Sequence, residues 1–163
     1  MSHNPFNNPE LAHPRARELM KEAFFWNCVN ELAPFGSDEG AQAYETWREW
    51  RKDNPEKPLE QFIAWWLLGN TDKYSPCLYQ DAQVELDLMN PTEALLSDYY
   101  DTFTLDASII ATGFGQLVDE GRIESDSKKY ISVALNRQLH PKICTQPERR
   151  EILQACLRVL ESA

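Results

Sequence analysis

Apolar residues recur at helical spacing in segment after segment of this chain. Most of these segments open on a proline or a polar cap and close on a glycine, an asparagine or another proline. That repetition restricts the fold more than any other feature, because a 3.6-residue stripe buries one face of a helix and cannot serve a strand of period two. Pro14 suits the first position of a helix, and Ala16, Leu19, Met20, Ala23 and Phe24 follow on one face to an end near Trp26. Ser37 is placed to cap a second helix. Asp38 and Glu39 stand in its first turn, where the helix dipole favours negative charge, and its Tyr44, Trp47 and Trp50 run to a stop at Asn54-Pro55. Pro58 opens a third, striped by Leu59, Phe62, Ile63, Trp66 and Leu67. Trp65 and Leu68 lie off that stripe, so they need a second buried contact or stand exposed to a partner.

Between Asn70 and Asn90 the pattern weakens. Val84, Leu86 and Leu88 alternate with acids over too few residues for more than a loop, with a short strand as the lesser alternative. Asn90-Pro91 predicts a helix with Thr92, Leu95, Leu96, Tyr99 and Phe103 on one face. Asp106 to Glu120, closed by Gly121, is the most apolar around its circumference and is the predicted central helix. Gly113 and Gly115 inside it point to close approach of a neighbouring helix or of a ligand. Ser125 is expected to cap the next helix and Pro147 to open the last. The expected fold is therefore all-α, a single-domain bundle of about six helices over residues 13–163, preceded by a flexible arm at 1–12 rich in Asn and Pro.

The chain has 163 residues, enough for one domain that buries about two thirds of its unfolded surface. Its formal net charge of -10 disfavours nucleic acid and anionic membranes by repulsion and leaves a basic protein as a candidate partner. No run reaches the roughly 18 apolar residues of a membrane span, and Met-Ser-His-Asn-Pro does not read as a signal peptide, so a cytoplasmic protein is expected. Cys28, Cys77, Cys144 and Cys156 are scattered, which fits reduced thiols. His140 with Cys144 is too small a set for a metal site, and no cofactor is expected.

No nucleophile elbow, phosphate loop or dinucleotide fingerprint is present; Gly113-Phe114-Gly115 lacks the final glycine of the last, where Val118 stands. Two candidate sites remain. All five tryptophans fall between Trp26 and Trp66, so Trp26, Phe35, Trp47 and Trp66 would line a cleft if the region is hollow. Asp38 or Glu39 would be its polar group, with Trp65 an exposed neighbour. The second is acidic. From 72 to 106 eight carboxylates oppose only Lys73, and Asp87, Glu93, Asp98 and Asp101 are its docking candidates. The first reading favours a small-molecule binder or enzyme. The second favours a non-enzymatic protein-binding module, one form of which is an immunity-type protein that neutralises a basic toxin.

Three stretches carry a family resemblance. They are Phe24-Phe25-Trp26-Asn27-Cys28-Val29-Asn30 leading into Ala33-Pro34-Phe35-Gly36-Ser37-Asp38-Glu39-Gly40, then Ile109 to Ile123, then Ala134-Leu135-Asn136-Arg137-Gln138. In these the chain resembles uncharacterised bacterial proteins of the YfeS type. The resemblance implies a bacterial cytosolic protein without an assigned reaction, and so it brings no catalytic residue. Some relatives in that family carry a Trp-Gly-Arg domain linked to nucleic-acid binding, a tripeptide this chain does not contain.

Overall fold

The computed structural model describes residues 5, 6, 8–94 and 100–163. Among them the chain is all-α, with seven α-helices and no strand. They are α1 (Pro14–Leu19), α2 (Asp38–Asp53), α3 (Leu59–Trp66), α4 (Asp81–Met89), α5 (Thr102–Glu120), α6 (Ser125–Leu139) and α7 (Pro147–Ser162). Short 3-10 turns at Pro9–Leu11, Ala23–Trp26, Pro76–Tyr79 and Pro91–Glu93 join or precede them.

α5 is the axis. From Leu105 to Val118 all but one of its residues are buried, and α1, α2, α3 and α6 pack around it. Close packing of side chains from the neighbouring helices explains its glycines. A Cβ on Gly113 would meet Ile131 of α6 at 2.1 Å, and one on Gly115 would meet Tyr44 of α2 at 2.7 Å. The neighbours are helices, not a ligand. α7 closes the bundle against α6, and α4 stands at the edge, held through the Pro76–Tyr79 turn that also packs on α6.

Local chemistry accounts for most boundaries. The Ser37 hydroxyl accepts from Gly40 N at 3.1 Å, and Gly121 in the left-handed region at φ 78° ends α5. Where the expected elements differ from those observed, tertiary demands prevail over the local pattern. The first helix stops at Leu19, because fully buried Met20 leaves helical geometry and Glu22 is extended, and only a 3-10 turn covers Ala23–Trp26. The segment expected as a loop or strand holds the Pro76–Tyr79 turn and α4. Val84 is buried there while Leu86 and Leu88 stay exposed, so the alternation was not a sheet face. Pro91 opens only a 3-10 turn; residues 95–99 of the helix expected there lie outside the described residues, and Phe103 belongs to α5. α5 begins four residues earlier than Asp106, capped by Asp101, which accepts from Thr104 N at 2.7 Å. Glu124, rather than Ser125, occupies the cap position of α6. In the region expected as an arm, Phe6 stacks near Phe35 and Tyr44, and Ala12 is buried.

One carboxylate ties four helices together. Glu124 accepts from Leu59 N at the start of α3, from the Gln116 amide of α5 and from the Arg51 guanidinium of α2, while its own N–H donates to Gln116 Oε1. Glu120 shares the load, accepting from the same Gln116 amide and the same Arg51 guanidinium.

Candidate functional site

α5 and α6 place two opposite charges inside the core. Asp106 and Arg137 both fall in the buried register of their helices, with side chains 0% and 1% exposed. Charges so far from water persist only when paired and hydrogen-bonded. Arg137 Nε and Nη2 donate to the two Asp106 oxygens at 2.8 and 2.7 Å. Tyr74 Oη donates to Oδ1 at 2.5 Å and Gln138 Nε2 to Oδ2 at 2.7 Å, so the carboxylate accepts four bonds. The Tyr74 ring also lies 5.5 Å from the guanidinium carbon. Burial alone would lower the Arg137 guanidinium, but Asp106, Tyr74 and Asp87 reverse this and hold it above its ordinary value. Burial, followed by the Asp106 charge, pushes the Tyr74 hydroxyl well up, so it remains a donor.

The network continues outward to a cleft. Gln138 Oε1 accepts from Arg149 Nη2 at 2.6 Å, and the Arg149 guanidinium lies over the Phe103 ring at 5.3 Å. Beside them is a hollow of about 430 Å³, walled by Val84, Asp87 and Leu88 of α4, Phe103, the end of α6 and Arg149. Two smaller recesses adjoin Phe103 and Arg149 on the side of the α2 cap, lined by Glu31, Leu32 and Ser37.

α4 exposes large apolar side chains, Leu86 and Met89 on its outer side and Leu88 toward the cleft. Leu86, Leu88 and Met89 are 55%, 51% and 75% exposed. Asp81 and Glu85 anchor the helix through His140 and Lys142. His140 Nδ1 accepts from Lys142 N, so its Nε2 carries the proton donated to Asp81 at 2.8 Å.

The residues singled out in the sequence are distributed as follows. Phe35 and Trp47 are 1% exposed and Trp66 is also buried; with Tyr44, Phe62 and Phe6 they form stacked and edge-on ring pairs in the core. Trp26 is half-buried and donates to Met20 O at 2.9 Å. Trp65 is 54% exposed, in contact with Phe62 and Trp66. Asp38 is exposed and Glu39 half-buried in the first turn of α2, where both border the recess near Arg149. Of the acidic candidates, Glu93 is exposed, Asp101 caps α5, and Asp98 lies outside the described residues. Asp87 is half-buried against the cleft, its Oδ1 accepting from Gln83 at 2.9 Å. Asp106, counted with that acidic stretch, is fully buried. The core network and Arg149 were not anticipated as functional. The available signal was a lone acid on the apolar arc of α5, opposite Arg137 and Gln138 in the register of Ile131 and Ala134.

No family model matches the chain, and no solved structure matches it. It is 30% identical over 135 residues, 82% of its length, to the uncharacterised protein YfeS of Escherichia coli K12. The chain spans about half of that relative's length, 53%. Over most of its length the chain is a distant homologue of YfeS, within a YfeS-like group.

Proposed function

We propose that this protein is a non-enzymatic binding module of the cytoplasm that docks a basic partner protein on α4. The observation that carries this reading is the exposure of Leu86 and Met89 on the outer side of one short helix of an acidic chain. Large apolar side chains gathered on a surface are costly to leave in water, and Leu and Met beside a charged rim suit the core of a docking patch. Leu86 and Met89 are three apart and share the outer side of the helix, and Glu93 stands exposed just beyond its end. A net charge of -10 steers a basic partner toward such a surface. The filling of the tryptophan region by packed rings favours this reading over a small-molecule cleft lined by tryptophan. An immunity-type protein that neutralises a basic toxin is its concrete form.

The test is capture of basic proteins from a bacterial lysate on the immobilised chain, followed by measurement of affinity for what is retained. Binding should weaken steeply with salt, since exposed charges are screened within about 8–10 Å at physiological ionic strength. Leu86→Asp with Met89→Asp should release the partner, and Glu93→Lys should weaken it. A retained protein indifferent to salt and to all three substitutions would remove this reading.

A further inference from the structure

The cleft behind α4 offers chemistry that the docking reading does not use. Arg137 spends Nε and Nη2 on Asp106, and its Nη1 is buried with no hydrogen-bond partner. Across the same cleft Asp87 Oδ2 is also buried and unpartnered, and no ion pair joins the two residues. Arg149, the second guanidinium in the wall, is half-buried, and its polar contacts are the Gln138 amide and the Phe103 ring rather than a carboxylate. Burial lowers its guanidinium below the ordinary value, an effect that Cys144 and the buried Asp106 charge offset only in part. Buried donors and acceptors are nearly always satisfied, so orphans of both signs in one hollow mark where a ligand's polar groups belong.

The charges decide what kind of ligand. Arg137 and Arg149 are balanced by Asp106 and Asp87, so the site is neutral as a whole but polarised. A simple anion would meet Arg149 and be repelled by Asp87; a simple cation would meet the reverse. We propose that this cleft binds a free α-amino acid with an apolar side chain. Its carboxylate accepts from Arg149 with the Arg137 guanidinium beneath it, its ammonium pairs with the Asp87 carboxylate, and its side chain lies against Phe103, Leu88 and Val84. A hollow of about 430 Å³ is of the size that small-ligand sites occupy. Gln138 fixes the geometry, because its amide donates to Asp106 and accepts from Arg149, so both arginines are positioned by one side chain.

The proposal stands apart from docking on the outer side of α4, and the experiment separates them because it needs no partner protein. Calorimetric titration of the full chain with leucine, methionine, phenylalanine and valine should show binding by at least one. For that amino acid the N-acetyl and carboxamide derivatives, which lack the ammonium and the carboxylate respectively, should bind at least tenfold more weakly. Arg149→Gln should weaken the free amino acid at least tenfold with the circular dichroism spectrum unchanged, and Arg149→Lys should restore part of the loss. Asp87→Asn should narrow the difference between the free and N-acetylated forms. Absence of binding by all four amino acids at millimolar concentration overturns the proposal. So does equal binding of the N-acetyl derivative, which would leave a plain anion site.

Discussion

The Arg137 guanidinium and the Asp106 carboxylate join α6 to α5 through a two-point bond of 2.8 and 2.7 Å inside the core. Asp106→Asn removes one charge and leaves Arg137 buried with only the Asp87 charge, to which it is not bonded, near it. It should destabilise the fold by about 3–5 kcal/mol, read as a lower urea midpoint at constant slope. Asp106→Leu combined with Arg137→Met removes both charges and should cost less than the single change. A single substitution that cost under about 1 kcal/mol would show the pair to be hydrated.

Stability should fall in alkali. Burial raises the hydroxyls of Tyr44 and Tyr74 above their ordinary 10.0 and the Cys156 thiol above 9.0. The native state therefore keeps protons that the unfolded chain gives up. The stabilising contribution is complete below the unfolded values and declines as pH rises through 9.0 for the thiol and 10.0 for the tyrosines. Urea unfolding measured from about pH 8 to about pH 11 should show that decline. Tyr44→Phe should make it shallower while costing about 1 kcal/mol at neutral pH, through loss of the bond to Asp119.

The turn before α2 is structural in its geometry, and its residues should differ sharply in sensitivity. Ser37→Ala removes the cap bond and should cost about 1 kcal/mol. Phe35→Ala empties a fully buried site and should cost about 3–5 kcal/mol. Gly36→Ala should be worse than Ser37→Ala, because a Cβ there would lie 1.8 Å from Asn30 O and the backbone must move. Asp38→Asn, at an exposed first-turn position, should cost no more than about 1 kcal/mol. Thermal melts of the four variants give the order directly.

Trp65 should be the indole most accessible to a neutral quencher such as acrylamide, since Trp47 and Trp66 are buried and Trp26 and Trp50 are half-buried. Trp65→Phe should abolish most of the quenchable signal and shift the remaining emission to shorter wavelength. Unchanged quenching in the variant would show that the quenchable signal comes from other indoles, the half-buried Trp26 and Trp50 first among them.

Much of the bundle was legible because its determinants are local. Ser37 and Gly121 act within one turn of where they stand, and the stripes of α3, α6 and α7 face the core as their spacing implies. α4 was missed because Val84 is its one buried residue, so the periodicity that betrays a helix is absent. Asp106 was counted as surface charge because charge summed along a stretch ignores register; its position on the arc with Ile109 and Ile110 held the contrary information. The cleft left no local trace. Asp87, Phe103, Arg137 and Arg149 come from four helices, and nothing in their spacing along the chain brings them together.

The shared bonds of Glu124 bear on how the molecule opens. Leu59 N, the first amide of α3, is held by the Glu124 carboxylate, which also restrains α2. Amides at helix starts ordinarily exchange with solvent through local fraying, at little free-energy cost. This one is tied to a carboxylate whose other oxygen is fixed by Arg51 of α2 and Gln116 of α5. In hydrogen exchange Leu59 should therefore behave as a slow amide, protected to the level of the core of α5, and α2 and α3 should open together with the axis rather than peel from it.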